Sequence, residues 1–310
     1  MNAPSSPTVP SATVIDMHTH STASDGTLSP ASLVEHAVQA GISILALTDH
    51  DTTDGVPEAN RAADAKRVML IPGIELSTDC RMCKAHLLGL GITRESPALT
   101  SLLSTIREGR RERNHRIVRK LNLLGYPITF EDVAAEAGGD IIGRPHIART
   151  LVKKQYFPTM QQCFAELLDR NGAAYVQRWR PDVQVAVDAI HDAGGLAVLA
   201  HPGLLHLDPD SEYHRFIESM KDIGLDGIES NYPMHSMEQL SFFADLAETF
   251  GLLQTGGSDF HGLNKEAVTL GIGTGHRPIG YEYAASVLAR LVLRQEYIAS
   301  PVQSLSPGNP

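Results

Sequence analysis

The segment "IDMHTHSTASDG" puts His18 and His20 on either side of one threonine, with Asp25 shortly after. Side chains alternate along a strand, so the two imidazoles share a face. Two such groups can take one metal ion, or they can be polar residues closing a strand. The rest of the chain repeats the arrangement. His50, Glu75, His86, His201, Asp259 and His261 also fall within or just beyond the C-terminal ends of strand-like runs. A single strand-end histidine is more often a hydrogen-bonded structural group. Nine imidazoles and carboxylates on one rim are costly to crowd together without a cation. They point to a metal centre, and to more than one ion, because nine ligands exceed what one tetrahedral or octahedral ion uses.

The elements that must position these residues are short apolar runs: "TVIDMH", "ISILALTDH", "VMLIPGIEL", "AHLLGL", "LAVLAHP", "DGIESN" and "GLLQTGGSDFH". Amphipathic stretches separate most of them. Ser29 and Pro30 open the first helical pattern and Gly41 closes it. Near-continuous apolar strands alternating with helices indicate a parallel sheet buried on both faces. Seven such runs suggest a barrel, in which C-terminal strand ends and the following loops build the active site. Residues 99–180 break the rhythm with helical patterns and no clear strand. The expected organisation is a barrel over 13–98 and 181–300, a helical insertion over 99–180, and disordered tails at 1–12 and 301–310.

Composition narrows the function. The chain has 310 residues and no apolar run long enough for a membrane span, and its first residues do not read as a signal peptide. Three cysteines make no disulfide framework and suggest a reducing cytoplasm. Cys80 and Cys83 form a C-x-x-C without a second pair, so chemistry there is not expected. The net charge of −10 argues against binding long duplex nucleic acid. That average hides an asymmetry. Residues 99–180 carry 14 Lys/Arg and 8 Asp/Glu, a balance of +6, which leaves −16 on the remainder. A solvated helix face and a basic cover over an anionic substrate both fit.

In order, "DMHTHSTASDG", "ALTDHDTTDG", "PGIELS", "HLLGL", "GRPHIA", "AHP" and "GSDFH" resemble the PHP (polymerase and histidinol phosphatase) family of metal-dependent phosphoesterases, often grouped with the amidohydrolases. The resemblance runs from residue 14 to about 300. It implies an α/β fold, a distorted (β/α)7 TIM-like barrel with a helical insertion domain. It also implies up to three divalent ions, Mn²⁺ first and Zn²⁺ or Fe²⁺ as alternatives. His18, His20, Glu75 and Asp259 are expected around the first ion, with Glu75 bridging to a second held by His86 and His201. Asp25, His50 and His261 are expected on the third. The members most resembled are 3′,5′-nucleoside bisphosphate phosphatases, whose relatives also trim RNA from its 5′ end.

The implied chemistry is hydrolysis of the 3′-phosphate of a 3′,5′-bisphosphonucleotide by water activated at the metal, with 5′-to-3′ exonuclease action on short RNA as the alternative. Asp259, His201 and His146 are the candidate catalytic residues. Arg144, His146 and Arg178 are the candidate substrate contacts. Arg144 in "GRPH" suits a phosphate oxygen pair, because guanidinium matches that geometry. His146 could bind the same group or protonate the leaving alkoxide. A metal-dependent amide or lactone hydrolase is a weaker reading, because no strand-end lysine offers itself for carbamylation. The expected partner is a small nucleotide or a short RNA, with no membrane.

Overall fold

The computed structural model describes residues 13–80, 84–137, 142–208 and 211–299; the two tail segments and Cys83 lie outside the described residues. Seven strands form one sheet in chain order: β1 (Val14–Asp16), β2 (Ile42–Leu47), β3 (Met69–Asp79), β4 (Lys84–Leu90), β5 (Leu196–Leu199), β6 (Gly227–Asn231) and β7 (Leu253–Gly256). Each overlaps one of the seven apolar runs, with β3 continuing past its run to Asp79 and β4 beginning one residue before its run at Lys84. The helices are α1 (Pro30–Gln39), α2 (Val56–Lys66), α3 (Pro97–Leu123), α4 (Phe130–Ala134), α5 (Arg144–Lys153), α6 (Met160–Cys163), α7 (Val183–Asp192), α8 (Glu212–Asp222), α9 (Met237–Phe250) and α10 (Glu282–Ala299). Among the described residues no helix is long and apolar enough to cross a membrane.

The expectation of an all-parallel sheet needs correcting. β4 runs antiparallel to both β3 and β5, while the other pairings are parallel. The reason lies in chain length. Only residues 80–83 join β3 to β4, and a parallel return needs a crossover of about a dozen residues or more. Beyond the named pairings, the first and last strands meet at their C-terminal ends. Met17 N–H donates to Gly256 O (3.1 Å), Asp259 N–H to His18 O (2.8 Å) and His20 N–H to Phe260 O (2.9 Å).

Alternate side chains of the strands feed two apolar layers. Leu87 of β4 joins Ile74, Leu76 and Leu199 against α7, α8 and α9. Leu88 and Leu90 join Ile15, Met17, Val198 and the α10 residues Val287 and Leu291. A third cluster packs α1 and α2 against β2. The helical segment has its own core, in which Ile117, Val118 and Leu121 meet Ile147, Leu151, Leu168 and Val176. α3 straddles two cores, because its first turns place Leu99, Leu102, Leu103 and Ile106 under the sheet. Its start is fixed locally. Ser96 Oγ accepts the Leu99 N–H and Pro97 takes the first helical position.

Candidate metal centre

Strand alternation works at the end of β1 as the residue types suggest. The Thr19 hydroxyl turns toward β2 and donates to Ala46 O (2.6 Å), while the His18 and His20 rings face the centre, both fully buried. Asp25 sits on a loop pinned from beneath by Asp49, which accepts Ser21 N–H (2.7 Å) and Ser24 Oγ–H (2.6 Å). Asp259 follows β7 in a left-handed backbone conformation, φ +57°. Buried Asp16 supports it by accepting Ser258 N–H (2.9 Å), Ser258 Oγ–H (2.5 Å) and Gly271 N–H (2.8 Å). His201 is also left-handed, at φ +30°. Strained non-glycine backbone persists only where the surroundings over-determine it.

Glu75 is the hub. Its Oε2 lies 3.3 Å from His18 Nε2, 3.1 Å from His20 Nε2 and 2.9 Å from His50 Nδ1. Its Oε1 lies 2.7 Å from His86 Nδ1 and 3.0 Å from His201 Nε2. Donor atoms converge in three groups: His18, His20, Glu75 and Asp259; His50, Glu75 and His86; and His20, Asp25, His50 and His261. All nine expected residues are therefore together, with His201 beside the group that holds His86. His20, His50 and Glu75 each belong to two groups.

These residues fit divalent cations. Glu75 Oε2, His50 Nδ1 and His20 Nδ1 are buried with no hydrogen-bond partner among the described residues. Orphaned polar atoms in such a place call for a partner. In the first group, His18 Nε2 and His20 Nε2 are 3.1 Å apart, and each stands 3.3–3.5 Å from Asp259 Oδ1. Bonds of about 2.05 Å to a tetrahedral ion separate neighbouring donors by about 3.3 Å. Bonds of about 2.1 Å to an octahedral ion separate them by about 3.0 Å. The donor set accommodates both, so spacing alone does not choose the metal.

Charge is balanced in the same spirit. Burial pushes the Glu75, Asp259 and Asp25 carboxyls up, yet the surrounding imidazoles hold all three below the usual carboxylate range. Burial pushes His86 and His261 down, toward the neutral form a metal ligand needs.

A further carboxylate is one that sequence reasoning missed. Glu229 on β6 is fully buried, its Oε1 2.9 Å from His18 Nδ1 and its Oε2 accepting the His201 N–H at 2.7 Å. A proton on His18 Nδ1 leaves Nε2 with its lone pair toward the centre. In the same way His261 Nδ1–H donates to Asp259 O (2.8 Å), freeing Nε2, which lies 3.3 Å from Asp25 Oδ1. Asp259 Oδ2, turned outward, accepts from Tyr232 Oη–H (3.2 Å) and Lys265 Nζ (2.5 Å). The available signal for Glu229 is a carboxylate inside the otherwise apolar run "DGIESN".

Outside the cluster lies a cavity of about 230 Å³, lined by His50, His86, His146 and five arginines, Arg110, Arg113, Arg144, Arg178 and Arg180. Arg178 is buried and its Nη1 donates to Asp51 Oδ2 at 2.9 Å, and Arg110 Nη2 meets the same oxygen. Burial pushes Arg178 down to about 10 and, with the neighbouring guanidiniums, pushes Arg113 down. Asp25 in the lining, Asp51 behind Arg110 and Arg178, and Asp79 at 3.9 Å from Arg180 set three carboxylates against five guanidiniums, which leaves this pocket with excess positive charge. Arg144 is partly structural. Its Nη1 donates to Leu168 O (2.8 Å), and its guanidinium sits 5.8 and 5.9 Å from the Phe164 and Tyr175 ring centres. His146 Nδ1 accepts Gly143 N–H (3.0 Å), so Nε2 carries the proton of its neutral ring.

A mixed α/β sheet with converging imidazoles and carboxylates at its strand ends defines a metal-dependent hydrolase. Residues 16–177 match the PHP domain, and the chain belongs to the PHP family. It is 33% identical over 282 residues to a 3′,5′-nucleoside bisphosphate phosphatase of Chromobacterium violaceum, covering 91% of this chain and 95% of that one. It is 37% identical over 246 residues to a 5′-3′ exoribonuclease of Haemophilus influenzae, covering 79% and 89%. A solved structure from Bifidobacterium adolescentis, described as a candidate metal-dependent phosphoesterase, superposes with a TM-score of 0.79 at 31% identity, covering 91% of this chain and 98% of that one.

Proposed function

We propose that the protein hydrolyses the 3′-phosphate of 3′,5′-bisphosphonucleotides, adenosine 3′,5′-bisphosphate among them, giving the 5′-mononucleotide and phosphate. One observation carries the reading: His50 and His86 line the same cavity as five arginines. A cation centre that opens into a cation-rich pocket suits a substrate with two separated phosphates. It offers nothing to a neutral amide or lactone.

His18, His20, Glu75 and Asp259 are proposed to hold one divalent ion, Glu75, His86 and His201 a second, and Asp25, His50 and His261 a third. Mn²⁺ is the proposed ion, taken from the family resemblance, with Zn²⁺ and Fe²⁺ as alternatives, because mixed nitrogen and oxygen donors do not separate the three. Bound ions supply an acidified water and offset charge on the attacking and leaving oxygens. The chain's own residues position the ester. Arg178 Nε and Nη2 and Arg110 Nε are buried without hydrogen-bond partners among the described residues, so each guanidinium keeps donors beyond its contact with Asp51. They and Arg144 are proposed to clamp the second phosphate. Burial lowers the His146 pKa, which favours a neutral ring donating Nε2–H to a phosphate oxygen over an imidazolium acid.

The meeting of β1 with the end of β7 supports closure of the sheet into a distorted (β/α)7 barrel, with 13–98 and 181–300 as its halves. The separate core of residues 117–176 supports 99–180 as an insertion, and its +6 balance supports a role in covering the substrate. The scarcity of cysteine supports a cytoplasmic setting. The test supplies Mn²⁺ to the purified protein and follows phosphate release from adenosine 3′,5′-bisphosphate, mononucleotide release from 5′-phosphorylated short RNA and amine release from a panel of amides. Phosphate release with AMP as co-product is expected. Amide hydrolysis without phosphate release overturns the reading.

A further inference from the structure

We propose that a second cavity, of about 490 Å³ beside α3, binds the nucleotides of a short single-stranded RNA that extend beyond the one at the metal centre. This rests on the phosphoesterase reading and extends it to a substrate length. Arg110 lines both cavities, so the outer one opens directly alongside the inner. The inner cavity, at about 230 Å³, is small for more than a compact ligand, whereas the outer has the volume of an ordinary small-molecule site.

The outer wall has the chemistry of a nucleotide contact. Ser104, Arg107, Glu108 and Arg111 recur at i, i+3, i+4 and i+7 on α3, which places them on one face. With Arg110, three guanidiniums face one carboxylate. Arg107 pairs with Asp54 at 3.7 Å, and Arg110 is held by Asp51. Among the described residues Arg111 has no ion-pair partner. Phe130 closes the cavity, half-buried, with one ring face stacked on His115 at 4.2 Å and 22°. An aromatic beside arginines is how single strands are held without sequence preference, with bases stacking while guanidiniums take the phosphates. Asn114 couples the two cavities. It is buried, accepts from Arg113 of the inner pocket at 2.7 Å and donates to Ile142 O of the outer one at 2.8 Å.

The experiment compares wild type, Arg111→Ala, Phe130→Ala and Phe130→Leu. The readouts are equilibrium binding of a fluorescein-labelled 5′-phosphorylated tetraribonucleotide, and Mn²⁺-dependent kcat/KM on that RNA and on adenosine 3′,5′-bisphosphate. Arg111→Ala and Phe130→Ala are expected to weaken RNA binding and kcat/KM by about 5–20-fold while leaving the bisphosphate within about twofold. Phe130→Leu keeps the apolar packing and should lose the same stacking. Arg111→Ala should also flatten the slope of log affinity against log salt by about 0.7, one phosphate contact on a single strand. Equal losses on both substrates, no loss on either, or an unchanged salt slope overturn the subsite. A wild type that binds the tetranucleotide no better than the bisphosphate overturns it too. A wild type that releases neither phosphate from the bisphosphate nor mononucleotide from the RNA, while still showing the Arg111-dependent binding, overturns the phosphoesterase reading and upholds the subsite.

Discussion

Glu229 Oε1 stands 2.9 Å from His18 Nδ1, so a carboxylate on the sixth strand fixes the tautomer and aim of an imidazole on the first. Its other oxygen accepts the His201 N–H, so a second residue of the centre depends on the same group.

Glu229→Gln is therefore expected to lower affinity for divalent metal by about 10–100-fold, the usual cost of losing such a partner. The amide can satisfy the His201 N–H or the His18 ring, but its NH₂ cannot accept. Metal titration calorimetry checks this. Unchanged affinity with normal folding removes Glu229 from the centre.

Asp51 offers a different kind of support. It is buried and left-handed at φ +56°, and it gathers Arg110 of α3 and Arg178, where the helical segment rejoins the sheet. Its carboxyl is held below the usual range although burial works against this, through the charges of those two arginines. Asp51→Asn should raise KM for adenosine 3′,5′-bisphosphate by about tenfold or more, given about 1.5–3 kcal/mol for a charged hydrogen bond. KM for a simple aryl phosphate should change little. Equal rises on both substrates argue that Asp51 serves the metal ligands and not the arginines.

Most metal ligands are legible in the sequence because each is a polar residue at or near the end of an apolar run; Asp25 follows on a loop. The expected C-terminal placement of His86 needs correcting, since it is the third residue of β4 and shares the rim because that strand runs antiparallel. The arginines are less so. Arg110, Arg113 and Arg180 look like the solvated charges of an exposed helix and loop, and only the fold turns them toward His50 and His86. The same holds for Phe130, whose neighbour His115 is fifteen positions away in the chain. The direction of β4 is hidden for another reason: a run of alternating or continuous apolar residues carries no information about strand polarity. The shortness of the link from Asp79 to Lys84 does.

His235, whose role its sequence context leaves open, is a satisfied structural histidine. Its Nδ1–H donates to Ser230 O (2.9 Å) and its Nε2 accepts Gly203 N–H (3.1 Å). Burial lowers its pKa below the unfolded value of about 6.5. The neutral ring's contribution is thus complete above that value and is lost as pH falls below it toward the folded pKa. Melting of metal-free protein from pH 7.5 to 5 should show the gap between wild type and His235→Gln narrowing as the pH drops. A gap that is constant with pH assigns the titration elsewhere.

Metal removal should be visible in stability as well as activity. Glu75 Oε2 and His50 Nδ1 face each other at 2.9 Å without a formed hydrogen bond and His20 Nδ1 has none among the described residues, so cations complete a cluster that the unfolded chain lacks. Free metal at 100 times Kd stabilises the fold by about 2.7 kcal/mol per site. For a chain of 310 residues each kcal/mol is worth about 1.5 °C, so one site predicts a rise of about 4 °C in Tm. The measurement is thermal melting after exhaustive chelation, with and without added Mn²⁺, Zn²⁺ or Fe²⁺. The Glu75→Gln variant, which removes charge from a residue shared by two groups, should lose most of the shift. An equal Tm with and without metal in the wild type, alongside retained phosphate release, means the cluster is held by its own imidazole–carboxylate pairs and needs no ion to fold or to work.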